Sequence, residues 1–212
     1  SVSVSPDSFV IGDLRVGGEA VTNDEVPLSG GSFTLIWQKD DAPFVGDVLF
    51  SATRGQVTDG VGNPITGTIS TDVNGQATIN VVSTDAGPAI LTASAEGVSA
   101  SYEFEFVAET ARQIKLQASP FSIGPNGQKS TISAVVRDID GNLVKNRPVN
   151  FRLFDVSGGA IFPATVTTDS NGLATTVYTS NAVSANGGVV ISACTDLTGV
   201  TSECVNTVDD QG

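Results

Sequence analysis

Three groups of side chains in this sequence have types and spacings that chemistry can use. Asp138-Ile139-Asp140-Gly141-Asn142 presents oxygen ligands at alternate positions, as the start of a calcium loop does, which makes Asp138, Asp140 and Asn142 metal candidates. The run lacks the later glycine and the bidentate glutamate that complete an EF-hand, and the same residues also make an ordinary Asp/Asn turn. Glu103, Glu105 and Glu109 lie near the chain's midpoint, where a cation can bridge two domains; Asp40-Asp41 and Asp209-Asp210 are shorter acidic pairs. Cys194 and Cys204 are the whole thiol content, with nine residues between them. They fit no zinc pattern without further Cys or His and suit a disulfide across neighbouring strands, with two unpaired buried thiols as the alternative. In the chain-entropy view, closing so short a loop contributes on the order of 2–3 kcal/mol.

Catalysis finds little support. There is no histidine, which removes the commonest general base and metal ligand, and no serine or cysteine sits in a nucleophile elbow such as Gly-x-Ser-x-Gly. A glycosidase-type carboxylate pair cannot be singled out among 23 acidic residues. The expectation is a non-enzyme with no catalytic residue and no cofactor, calcium being the one open possibility. Charge narrows the partners. The net charge of −13 is concentrated in residues 1–108, with 3 basic and 14 acidic residues, against 7 and 9 in 109–212. Such a surface repels nucleic acid and anionic membranes, which need a basic patch. No apolar run approaches the ~20 residues of a membrane span, and no signal-peptide pattern opens the chain. Ser1 begins directly in alternating sequence, so the chain is expected to be an excised piece of a longer exported one.

The elements that must position these groups are strands. Residues 71–79 read Thr-Asp-Val-Asn-Gly-Gln-Ala-Thr-Ile and residues 168–176 read Thr-Asp-Ser-Asn-Gly-Leu-Ala-Thr-Thr, 97 positions apart. Each is a turn followed by a strand, so the chain is two copies of one β unit. Phe33, Leu35 and Trp37 alternate as a strand in which Trp37 is core rather than a sugar-stacking platform. Val48-Phe50-Ala52, Ala77-Ile79-Val81 and Ala89-Leu91-Ala93 continue inward. Their counterparts are Val149-Phe151-Leu153, Ala174-Thr176-Tyr178 and Val189-Ile191-Ala193. This register places Cys194 on the outward face of the penultimate strand, with Ser94 and Tyr102 at the positions of the two cysteines in the first copy. Residues 1–31 read as a first strand, Ser1 to Ser5, then an irregular segment. Ala108-Glu109-Thr110-Ala111, lacking Pro and Gly, reads as a tight linker and implies an end-to-end, semi-rigid arrangement.

About seven short strands per 100 residues, with turn signals every 8–12, describe an all-β chain of two tandem immunoglobulin-like β-sandwich domains, 1–108 and 109–212. Leu116-Gln117-Ala118-Ser119-Pro120, Ala134-Val135-Val136-Arg137-Asp138, Gly141-Asn142-Leu143-Val144, Pro148-Val149-Asn150-Phe151 and Thr168 to Ala174, in that order, resemble the group 1 bacterial Ig-like repeat of invasin- and intimin-type surface adhesins. The resemblance spans nearly all of 112–208 and weakens over 46–107. Residues 1–45 depart from it, Asp41-Ala42-Pro43 replacing the Gly-Asn turn. It implies stalk or spacer repeats of a large adhesin anchored in a bacterial outer membrane, with neighbouring repeats as partners and host-receptor contact through other domains. The alternative is a module recognising glycan or host protein at one end of the sandwich. Phe44, Phe121, Phe154 and Phe162 fall near strand ends, where an exposed cluster would favour binding and burial a spacer.

Overall fold

In the computed structural model residues 7–183, 188–199 and 204–206 are described. The chain divides into two compact units, Ser1–Val107 and Ala108–Gly212, one residue before the boundary expected from the sequence. The first unit contains β1 (Ser8–Val16), β2 (Glu19–Ala20), β3 (Glu25–Pro27), β4 (Gly31–Lys39), β5 (Ala42–Pro43), β6 (Asp47–Ala52), β7 (Gln56–Thr58), β8 (Thr68–Ser70), β9 (Gln76–Val82), β10 (Gly87–Ala95) and β11 (Val98–Val107). They form one sheet in the order β2-β1-β4-β9-β7, with β5 on β4, and a second in the order β3-β11-β10-β6-β8.

Alternation explains most of this layering. On β4, Phe33, Leu35 and Trp37 are buried while Thr34, Ile36 and Gln38 face away, and on β9 Ala77, Ile79 and Val81 do the same. Trp37 is therefore core, with Phe9 edge-on at 5.2 Å and Phe44 tilted against it at 4.5 Å. The first 31 residues differ from the sequence reading. Ser1 to Ser5 lie outside the described residues, and what reads as irregular is the nine-residue β1. A register break between Gly12 and Arg15, with Asp13 at φ 47°, puts both Ile11 and Leu14 into the core. An inserted residue shifts the period of two by one, which hides the strand from an alternation count.

The second unit contains β12 (Gln113–Ser119), β13 (Lys129–Arg137), β14 (Pro148–Phe154), β15 (Ala160–Phe162), β16 (Thr165–Thr167), β17 (Leu173–Thr179), β18 (Val190–Cys194) and β19 (Cys204–Asn206). Its sheets run β12-β13-β17-β15 and β16-β14-β18-β19. Val149, Phe151, Ala174, Tyr178, Ile191 and Ala193 fill its interior. The segment expected as a tight linker is anchored at two points. Ala111 is fully buried and its carbonyl accepts the Thr198 N–H at 2.9 Å, while the Glu109 carbonyl accepts from Arg147 at 2.6 Å. Both of these hydrogen bonds are made within the second unit.

Candidate functional site

The residues singled out as calcium ligands close a turn. Oδ1 of Asp138 accepts the backbone N–H groups of Asp140 at 2.9 Å and Asn142 at 2.7 Å, and Oδ2 accepts the Asn142 amide at 2.9 Å. The Asp138 N–H reaches the Asn142 carbonyl at 2.9 Å, and Gly141 takes φ 90°. Asp138 is buried with its carboxylate turned onto its own loop, whereas Asp140 is exposed. Among the described residues no three Asp, Glu, Cys or His side chains gather as a metal site requires.

Among the described residues the same closure recurs at four further aspartates followed by Gly three residues later, but not at Asp196 ahead of Gly199, where the Thr198 N–H goes to the Ala111 carbonyl. Asp59, Asp72 and Asp169 each accept N–H groups from two and four residues ahead, at 2.8–3.1 Å. Asp155 divides the same two bonds between its oxygens, taking Ser157 and Gly159 at 2.7 Å each. The glycines, Gly62, Gly75, Gly158 and Gly172, all take positive φ, which closes the turn without a Cβ penalty. The two signature copies are thus two of five such turns among the described residues. The Asp59 and Asp155 members went unread, although the Asp-to-Gly spacing is visible in the sequence.

Hydrogen bonding to the charged form lowers the carboxyl pKa values of Asp59, Asp72, Asp155 and Asp169. The Asn63 side chain leads at Asp59, the Gln76 N–H at Asp72 and the Leu173 N–H at Asp169. At Asp155 burial pushes upward, but the Ser157 and Tyr178 hydroxyls and two N–H groups outweigh it. Folded values below the ordinary 3.8 mean that the unfolded chain binds more protons in acid. The stabilisation is therefore complete above the ordinary value and is lost as pH falls through the lowered ones. Thermal melts are expected to shift by less than about 1 °C on adding millimolar calcium at pH 7, since a ligand stabilises only by binding the native state. The same melts should move downward between pH 4 and pH 2. A clear upward shift with calcium would make one of these loops a site.

Cys194 and Cys204 are joined in a disulfide, directly opposite each other on β18 and β19. Cys194 alternates outward with Ser192, as its register demands, yet both are buried. In the first unit the residue facing Ser94 is Ser99, not Tyr102, which faces Leu91. The β10–β11 hairpin turns tightly at Glu96-Gly97, whereas five more residues separate the paired positions in the second unit, which slides the comparison. Of the four phenylalanines singled out near strand ends, Phe44 packs on Trp37 beneath Lys39, whose Nζ lies 3.7 Å from its ring centre. Phe121, Phe154 and Phe162 are 62%, 64% and 80% exposed. Phe154 ends β14 in one sheet and Phe162 ends β15 in the other.

No family model matches the chain. YeeJ, an inverse autotransporter adhesin of Escherichia coli K12, is 26% identical over 190 residues, covering 86% of this chain. The chain spans 7% of that protein's length. The solved structure of FdeC, an Escherichia coli adhesin, matches with TM-score 0.56 and 15% identity over 96% of this chain and 63% of that one. The structure of invasin, described as a bacterial integrin-binding protein, matches at TM-score 0.40 and 21% identity over 94% of this chain and 38% of its own. In fold, the chain is a pair of immunoglobulin-like β-sandwich units resembling the repeats of invasin- and intimin-type bacterial adhesins.

Proposed function

We propose that the two units are load-bearing spacer repeats of a longer adhesin displayed on the bacterial surface, non-enzymatic themselves and joined to neighbouring Ig-like repeats, with the principal receptor contact made by other domains. The observation that supports this best is the pairing of β3 with β11. It is parallel, with Glu25, Val26 and Pro27 beside Glu105, Phe106 and Val107, and the Glu105 N–H adds a bond to the Asp24 carbonyl at 2.9 Å. Tension applied to the two ends of the first unit loads these bonds in shear, so they must fail together rather than one at a time. In the second unit β19 is tied to β18 covalently. An oxidising, extracellular setting preserves such a bridge.

Single-molecule pulling from the two ends of the chain checks this. Two unfolding events are expected, the first unit resisting far above the force that unzips a hairpin. Ten residues of separation lie behind the disulfide. Reduction should therefore lengthen the second unit's extension by about 35 Å, at ~3.5 Å per extended residue. A first unit that yields at hairpin-unzipping force would overturn the load-bearing reading.

A further inference from the structure

On β14 the side chains that alternate away from the core are Asn150, Arg152 and Phe154, and all three are exposed. An open groove of about 430 Å³ lies against this face, lined by Arg147, Asn150, Arg152, Thr195 and Asp196 together with Pro148 and Cys194. Among the described residues the Arg152 guanidinium has no hydrogen-bond or ion-pair partner. Arg147 is held in place by its bond to the Glu109 carbonyl at 2.6 Å. Oδ1 of Asn150 accepts the Thr165 hydroxyl at 2.8 Å, which leaves the amide N–H groups to donate elsewhere. Asp196 is exposed and in ion-pair contact with neither arginine.

These groups complement one kind of ligand. A guanidinium fork binds a carboxylate or sulfate through paired N–H donors. An amide donor and a carboxylate acceptor in the same groove suit hydroxyl groups. Phe154 stands two residues beyond Arg152 on the same face, ~7 Å along the strand, and offers a flat apolar surface to the C–H face of a sugar ring. A polyanion is a poorer match, because it would meet Asp196 and a chain of net charge −13.

The sister unit shows that the fold does not require this arrangement. Leu49 faces Ser94 as Asn150 faces Cys194, and Ser51 faces Thr92 as Arg152 faces Ser192. The positions of Asn150, Arg152 and Phe154 are thus Leu49, Ser51 and Thr53, with no cation and no ring.

We propose that this face of the second unit binds a saccharide carrying a carboxylate or sulfate, with Arg152 and Arg147 on the acidic group, Asn150 and Asp196 on ring hydroxyls, and Phe154 against the ring. The site is independent of the load-bearing role, and pulling experiments do not bear on it. The test is chemical-shift mapping of the full 212-residue chain titrated with 3′-sialyllactose, lactose 3′-sulfate, lactose and a glutamate-rich peptide. Either acidic sugar is expected to shift β14, Thr195 and Asp196, more weakly as salt rises, with lactose far behind. Arg152→Ala should weaken that binding by about tenfold or more while leaving the melting temperature unchanged, and Phe154→Ala should weaken it several-fold. Which acidic sugar responds tells carboxylate from sulfate. No shifts at millimolar sugar, an equal response to lactose, or an undiminished response in Arg152→Ala would overturn the proposal. Tighter binding of the peptide than of either acidic sugar would overturn it in favour of an acidic protein partner.

Discussion

Replacing Gly75 by alanine is expected to destabilise the first unit by about 3 kcal/mol or more, among the larger effects a single methyl group can have. Two causes add. Gly75 takes φ 69°, a left-handed conformation that costs a non-glycine residue about 1–2 kcal/mol. Its missing Cβ also faces the Trp37 carbonyl oxygen inside van der Waals contact, with the Phe44 nitrogen at 3.0 Å. Neither neighbour can retreat, because Trp37 donates its N–H to the Gly75 carbonyl at 2.8 Å and accepts from Phe44 at 3.0 Å. Gly17 separates the two causes. It takes φ 59° with nothing within 4 Å of its missing Cβ, so Gly17→Ala carries the conformational cost alone, about 1 kcal/mol. Gly172 repeats the arrangement in the second unit at φ 62°, where a Cβ would meet the Val136 carbonyl oxygen at 2.6 Å. Gly172→Ala should lower that unit's transition comparably. Denaturant titrations of the three variants decide the matter: equal losses for Gly75→Ala and Gly17→Ala would show that the close approach contributes nothing.

Trp37→Ala should cost the first unit about 3–5 kcal/mol, the range for deleting a large buried aromatic. Trp37 is 1% exposed, between Phe9 and Phe44. Its backbone bonds to Gly75 and Phe44 restrain the walls, so the cavity can collapse only in part. For a unit of this size the loss corresponds to a fall of about 15–30 °C in its melting temperature. Calorimetry should find the second unit's transition in place. Trp37→Phe, which keeps most of the apolar volume, should lose markedly less. An alanine variant that melts within a few degrees of the parent would remove Trp37 from the core.

The signature turns were legible because each of their parts is local. Asp accepts N–H groups two and four residues ahead, and Gly supplies the positive φ between them, so identity and spacing point to the turn, although Asp196 and Gly199 share the spacing without closing one. Thr71 and Thr168, which precede these aspartates, were legible as repeated letters but not as fasteners. Each is buried and donates its hydroxyl to a carbonyl more than 20 residues away, Phe44 at 2.8 Å and Val144 at 2.7 Å. Alternate oxygens at Asp138, Asp140 and Asn142 describe both a cation loop and an Asp turn. Residue order does not show which way the Asp138 carboxylate turns; in the structure it accepts from its own loop.

Residue order alone determined the two-fold repeat, the all-β class and the inward faces of the long strands, since periods of two and turn spacings act over a few residues and survive any arrangement of neighbours. The tertiary structure decided what depends on pairing across the chain. The bulge at Gly12 to Arg15 became visible only through the register of β1 on β4. The facing of Ser94 with Ser99 followed from hairpin length rather than from a constant offset. Cys194 is buried although it points outward. Arg147, Asn150, Arg152 and Asp196 share one groove because β14 and β18 lie side by side, which brings together residues more than 40 positions apart. Periodicity assigns a side chain to a face, and only the packed fold determines which other side chains share that face and whether water reaches it.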